Sequence, residues 1–343
     1  MMEADSTTYD CNAKTEVTEP TLPFNTCPDN LQLYKELTIS HGDLRLECQL
    51  VERLQAFGLL PKTIKCPSDK PDCKVVCRTA RVIDRVQWIC EGCSKRLPIR
   101  AGSFFFRLQC SILQTVQMIF AWSEDADVEV AAAHFGVKPR VATLIYDRLD
   151  ELAIKEQSKK KLGGENSVVL AELYPDCVNR LSPDTTDQPH VHRILMLADT
   201  NHIPTSYWLH VMKDDKKKTA NGNPDTQALT LEVEEVIRKV VIPNSLVVTG
   251  TNVPPIEGGS SIQQLLSHCD ADMQHFLSSR IWRQAITLSL ASRSVCGDGL
   301  AAAPCGAAAQ RYLTAALYRV TQHRDFFSHV LQAIAEEYTD KCD

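Results

Sequence analysis

Apolar positions along the chain fall into distinct rhythms. Between Leu31 and Leu59, Leu44, Leu46, Leu50 and Leu54 recur at helical spacing until Gly58 and Pro61 stop the pattern, which predicts one or two helices. Leu113 to Trp122 is apolar nearly all round and reads as a buried helix. The stretch Val128 to Val137 is a short helix and turn, and an amphipathic run follows to Leu152. Lys155 to Gly164 is polar and basic with two glycines, and reads as a linker. Beyond it the period changes. Ser167–Leu173, His190–Ala198 and Tyr207–Met212 are short apolar strands, with a turn at Asp199-Thr200-Asn201. Leu229–Val241 is an amphipathic helix and Ser245–Thr249 a fourth strand. Ala301–Ala309, broken by Pro304 and Gly306, reads as a flexible joint before two packed helices, Arg311–Val320 and Asp325–Tyr338. Residues 1–29, rich in Thr, Asp, Glu and Pro without periodicity, read as a disordered tail.

These elements predict an α+β multidomain chain. Its parts are the tail (1–29), a helical N-terminal segment (30–62), a zinc ribbon (63–108), a helix-turn-helix (109–154), an α/β unit (165–299) and C-terminal helices (306–340). Strands, then a helix, then a strand is how an RNase H-like core begins, although many α+β domains begin likewise.

Charge and cysteine content change the picture locally. A chain of 343 residues, 44% hydrophobic, can build two or three domains. Its net charge of −6 argues against coating nucleic acid with the whole surface. Residues 60–110, however, hold eleven Lys/Arg against four Asp/Glu, a local +7 that leaves −13 elsewhere. A basic module on an acidic body suits localised DNA contact, and a solvated basic loop is the plainer alternative. Met1 to Asp10 lacks the basic and apolar regions of a signal peptide, and no apolar run approaches a bilayer span, so no membrane partner is expected. The fourteen cysteines are therefore read in a reducing compartment, the clustered ones as metal ligands. Cys177 and Cys269 have His190 and His268 nearby, but no nucleophile elbow or oxyanion pattern surrounds them.

Cys90-Glu91-Gly92-Cys93 is a metal-ligating pair whose Gly92 eases a tight turn. Cys66-Pro67 opens the opposing knuckle, and its partner is Cys73 or Cys77, since either reaches the site if the loop folds back. Cys66, Cys73, Cys90 and Cys93 are the expected set. Four thiolates close the tetrahedron around zinc, so the site is structural and supplies folding energy rather than catalysis. In the helix pair, Ala131, Ala132 and Ala133 permit close packing, Gly136 supplies a left-handed turn residue, and Val137 plugs the core. Pro139 fits the first turn of the next helix, buried through Val141, Leu144, Ile145 and Leu149. Lys138, Arg140, Thr143 and Arg148 are then offered toward a groove or phosphates, while Asp147, Asp150 and Glu151 oppose them. An ordinary helical hairpin is the alternative.

From residue 45 to 338 the chain resembles the Merlin-type DNA transposases and their bacterial insertion-sequence relatives. The resemblance rests on an ordered set: the Cys-Pro knuckle, Trp88-Ile89-Cys90-x2-Cys93, Arg100-Ala101-Gly102-Ser103-Phe104 and the helix ending at Trp122. It continues through the helix pair to Ile145-Tyr146, Val168-Val169, Leu197-Ala198-Asp199-Thr200 and Ile242-Pro243-Asn244-Ser245. Arg311-Tyr312-Leu313, Tyr318-Arg319 and Phe326-Phe327 complete it. The resemblance implies an RNase H-like domain in which acidic side chains hold two divalent metals for in-line attack on phosphate. Mapped onto this chain, the three acidic positions fall at Glu172, Gly250 and Ser279. Gly250 has no side chain, and Ser279 is a poor substitute.

The expectation is a transposase-derived DNA-binding protein without strand transfer, holding structural zinc and no magnesium. DNA is the expected partner, with homo-oligomers possible, no small-molecule substrate, and a nuclear or otherwise cytoplasmic location. Two rivals stand beside it. One is an active nuclease using displaced carboxylates, from Asp176, Asp199 or Glu257. The other is a zinc-containing protein-interaction scaffold.

Overall fold

The computed structural model describes residues 21–40, 46–68, 70–165, 167–177, 192–199, 206–213, 226–275, 279, 306–320 and 325–339. The element order is α1 (Pro28–Thr38), α2 (Leu46–Ala56), β1 (Val75–Thr79), β2 (Val86–Cys90), β3 (Arg96–Pro98), α3 (Ile112–Ser123), α4 (Val128–Phe135) and α5 (Pro139–Lys159). It continues with β4 (Val168–Cys177), β5 (His192–Asp199), β6 (Tyr207–Val211), α6 (Thr226–Val240), β7 (Leu246–Thr249), β8 (Gly259–Ser261) and α7 (Ile262–Ser267). Two helices close the chain, α8 (Gly306–Val320) and α9 (Phe326–Thr339). Among the described residues, no helix is long and apolar enough to cross a membrane.

Local chemistry sets the helix ends. Ser111 and Gln114 form a reciprocal capping box on α3, and Asp127 caps α4 by accepting from the Glu129 and Val130 N–H groups. Gly136 ends α4 in the left-handed region (φ 64°), where a side chain would be strained, and Pro139 starts α5. The Gln114 amide reaches across from α3 and donates to the carbonyls of Phe135 and Gly136, fixing that turn.

The protein is α+β, with an antiparallel ribbon β1-β2-β3 and a mixed sheet ordered β6-β5-β4-β7-β8. β4 pairs antiparallel with β5 and parallel with β7, and β8 adds parallel at the far edge. Side chains alternate across the sheet. Leu170, Ile194, Met196 and Val248 face α8, while Val169, Ala171, Leu195 and Leu197 pack with Val233, Val236 and Val240 of α6. A third core joins the ribbon to α1–α5 and α9 through Trp88, Phe104, Phe105, Phe120, Trp122 and Phe327, all but closed to solvent. α8 lies between them: Leu313 and Leu317 pack on the sheet, and Ala315 and Tyr318 belong to the helical core. The last helix thus closes a core opened by the first. The Phe327 N–H donates to Asn30 Oδ1, and the Phe120 and Phe327 rings meet edge-on at 5.4 Å.

Several expectations need correction. Residues 21–27, assigned to a disordered tail, are held to the body: Phe24 meets Phe120 and Phe135, and the Cys27 N–H donates to Glu124 at 2.7 Å. Residues 1–20 lie outside the described residues. The first half of the supposed linker is helix. α5 runs to Lys159 because its Lys, Glu and Gln residues are good helix formers, and Leu162 then drops into the α6 core. Of the supposed joint at 301–309, residues 306–309 are helical, with Ala309 buried against the sheet, and 301–305 lie outside the described residues. β8 and α7 had no counterpart in the sequence reading.

Candidate metal centre

Two backbone turns face one another at the end of the ribbon. One leads into β1 and carries Cys66 and Cys73; the other follows β2 and carries Cys90 and Cys93. The ladder bond from Glu91 N–H to Lys74 carbonyl brings them together, and Ser94 N–H to Cys90 carbonyl closes the second turn. Ser94 is left-handed there (φ 57°). Gly92 makes the approach feasible, because a Cβ at that position would strike the Asp72 carbonyl.

The four sulfurs all lie within 4.8 Å of one another, the Cys66–Cys93 pair at 3.4 Å. Four thiolates around zinc stand about 3.8 Å apart, given Zn–S bonds of about 2.3 Å, so the set fits a tetrahedral metal such as zinc. Ser68 supports the sulfurs from outside: its N–H reaches Cys66 at 3.5 Å and its hydroxyl reaches Cys93 at 3.6 Å. The Lys95 backbone N–H and the Ser68 hydroxyl lower the Cys93 thiol to about 6, and the Ser68 N–H lowers that of Cys66. Burial, together with the neighbouring Cys90, raises Cys73 to about 12. Cys77 is excluded. It sits on β1 opposite Trp88, exposed to solvent and outside the cluster, which settles the choice between Cys73 and Cys77.

A feature without any sequence signal ties the ribbon to the helices. The Arg100 guanidinium donates to Asp84 from Nε (2.6 Å) and pairs with it again through its second nitrogen, with both side chains 7% exposed. It also donates to the carbonyls of Leu108 (2.9 Å) and Cys110 (2.8 Å). The pair saturates itself, as a buried charge must.

The proposed DNA contacts separate into two groups. Lys138, Arg140 and Thr143 are exposed at the start of α5. Arg148 is half-buried, donates to the carbonyls of Phe104 and Phe106, and lies over the Phe104 ring. The period of α5 gives its direction, but the aromatic turn beneath it could not be foreseen. Leu144, assigned to the buried face, is 41% exposed.

In the mixed sheet, β4 and β7 run parallel with Ala171 opposite Thr249, and the Gly250 N–H donates to the Ala171 carbonyl. Positions 172 and 250 are therefore neighbours on one face. A Cβ at Gly250 would overlap the Glu172 carboxylate, which occupies the space that a side chain at 250 would need. Of the suggested substitutes, Asp199 is fully buried on the opposite face, where it accepts from Gly163 N–H (2.7 Å) and Ser167 hydroxyl (2.9 Å). It joins the end of β5 to the segment entering β4. Glu257 is exposed beyond β7, its N–H bonded to Glu234. The side chain of Asp176 lies outside the described residues, as do the residues surrounding Ser279. Among the described residues, no three acidic side chains converge; the cysteines form the one such cluster. No protein-family model, curated protein or solved structure matches this chain.

Proposed function

We propose that this is a transposase-derived DNA-binding protein that holds structural zinc in its ribbon and has lost strand transfer. One observation carries the reading: a complete four-cysteine centre stands beside a strand pair in which Gly250 lacks a donor and Glu172 fills its place. The mixed sheet supports the RNase H-like assignment, since its three antiparallel strands, helix and parallel strand follow the order that such a core begins with. The Gly136 turn between α4 and α5 supports the helix-turn-helix assignment. Bound zinc would hold the two knuckles and stabilise the ribbon without an open coordination position for chemistry. DNA binding favours a nuclear location.

The test is affinity for duplex DNA against salt concentration, with full-length protein as purified and after chelation. Phosphate contacts give a steep negative slope, and chelation abolishes binding. Salt-insensitive or absent binding overturns the proposal. The scaffold reading has its own support in Val130 and Leu144, 43% and 41% exposed, on a helix pair that also exposes Glu129, Asp147 and Glu151. Cross-linking to protein and never to DNA would establish it instead.

A further inference from the structure

The turn joining β1 to β2 holds two apolar side chains out in water: Val82 is 41% exposed and Ile83 is 63% exposed. The turn is built to keep them there. Asp84, the next residue, is buried and locked to Arg100, while Arg85 takes a left-handed backbone (φ 59°) that few residues other than glycine adopt. Ala80 N–H to Arg85 carbonyl and Arg85 N–H to Val82 carbonyl close the loop.

Cations line this ribbon. Arg78, Arg81, Arg85 and Arg96 are all exposed. Arg81 and Arg85 lie in the tip itself, whereas Arg78, opposite Gln87 and paired with Glu91 at 2.7 Å, and Arg96, opposite Ile89 toward the metal end, lie along the ribbon on the face turned away from Trp88 and Cys90. Arg100 and Asp84 neutralise each other inside and Arg78 pairs with Glu91 outside, so nine basic and two acidic residues of the 60–110 segment remain beyond these pairs. The start of α5 is different. Its exposed Lys138 and Arg140 are accompanied on α4 and α5 by Asp127, Glu129, Asp147 and Glu151, all exposed.

We propose that the β1–β2 tip, rather than the α4–α5 pair, is the element that engages duplex DNA, with Ile83 and Val82 acting as an apolar wedge between base steps. This rests on the DNA-binding reading above and names its surface. Arg81 and Arg85 beside the wedge, and Arg96 further along the ribbon, hold phosphates, which is how wedge-inserting proteins offset the cost of unstacking and bend the duplex. A two-stranded ribbon also has the width to enter a groove. A neutral protein surface would satisfy the apolar pair but offer no counter-charge to Arg81 and Arg85 beside it.

The experiment uses zinc-loaded full-length protein and a duplex labelled at both ends for energy transfer, with bound zinc and circular dichroism confirming each variant's fold. R81A/R96A should weaken binding at least tenfold near 0.1 M salt and reduce the salt slope by about two. Ile83→Ser should keep the wild-type slope and lose the bend, while K138A/R140A should weaken binding clearly less than R81A/R96A does. Hairpin variants that bind normally while K138A/R140A fails would overturn the inference and leave DNA binding standing. Full bending by Ile83→Ser would overturn the wedge. No binding by the wild-type chain at any salt would overturn both this inference and the DNA-binding reading.

Discussion

The ribbon and the mixed sheet each bring two chain segments side by side, yet only the ribbon delivers donor atoms to the meeting point. At the ribbon, every converging position carries sulfur, and the glycine at 92 serves only to let the turns approach. At the sheet, β4 and β7 set positions 172 and 250 next to each other, but glycine at 250 offers nothing and Glu172 occupies the room beside it. A backbone frame can therefore bring two positions together without equipping them as a metal site. The frame depends on apolar packing over many residues, whereas a metal site depends on a few particular side chains.

That contrast can be broken most forcefully at the cysteines. Cys90→Ser together with Cys93→Ser should abolish zinc stoichiometry and the cooperative unfolding of the ribbon, seen as collapsed amide dispersion for residues 66–98, while the sheet's amides stay in place. Next in size is the buried pair. Arg100→Ala leaves Asp84 charged and unpartnered, and should cost about 3–5 kcal/mol in denaturant unfolding. A double replacement of both by leucine should recover only part of that loss, since the Leu108 and Cys110 carbonyls stay without their donor.

A smaller effect is expected at the sheet. Gly250→Asp must displace the Glu172 carboxylate and should destabilise the protein by about 1–3 kcal/mol. Adding Glu172→Ala should relieve much of this, and a double-mutant cycle measures the coupling. Additive losses would show that the two positions do not share one space. The smallest effect is that of pH. Burial raises the Glu124 carboxyl above the usual carboxylate range, only partly offset by donation from Cys27 and Asn30. Folding therefore favours its protonated form. This contribution is fully present below the unfolded pKa and is lost as pH rises through the folded one. Glu124→Gln should flatten that part of the stability profile, measured as the difference from wild type across mildly acidic pH.

What could be read from residues alone follows the range of the interactions. Cys90-x2-Cys93 and the Gly136–Pro139 turn are local patterns, and both stand where the sequence puts them. From sequence Cys73 is preferred but Cys77 stays open, because the choice depends on where β1 begins, and a short ribbon strand has little periodicity of its own. The engagement of Arg148 with the Phe104–Phe106 turn was not legible, because a helical period reveals a side chain's direction and not its neighbours. Arg100–Asp84 carried no signal, being sixteen residues apart. A lone Asp within a strongly basic stretch, and an Arg between Ile99 and Ala101, were the only traces. The apparent linker at 155–164 was judged by polarity, which does not distinguish free chain from an exposed helix anchored by Leu162.

The central claim is that the chain grips DNA and does not cut it. An end-labelled duplex, incubated with zinc-loaded full-length protein in Mg²⁺ or Mn²⁺ and run in parallel on native and denaturing gels, tests this directly. The account predicts a shifted band on the native gel and an intact strand on the denaturing one, with Glu172→Ala behaving like wild type. Metal-dependent nicking that disappears in Glu172→Ala would contradict it.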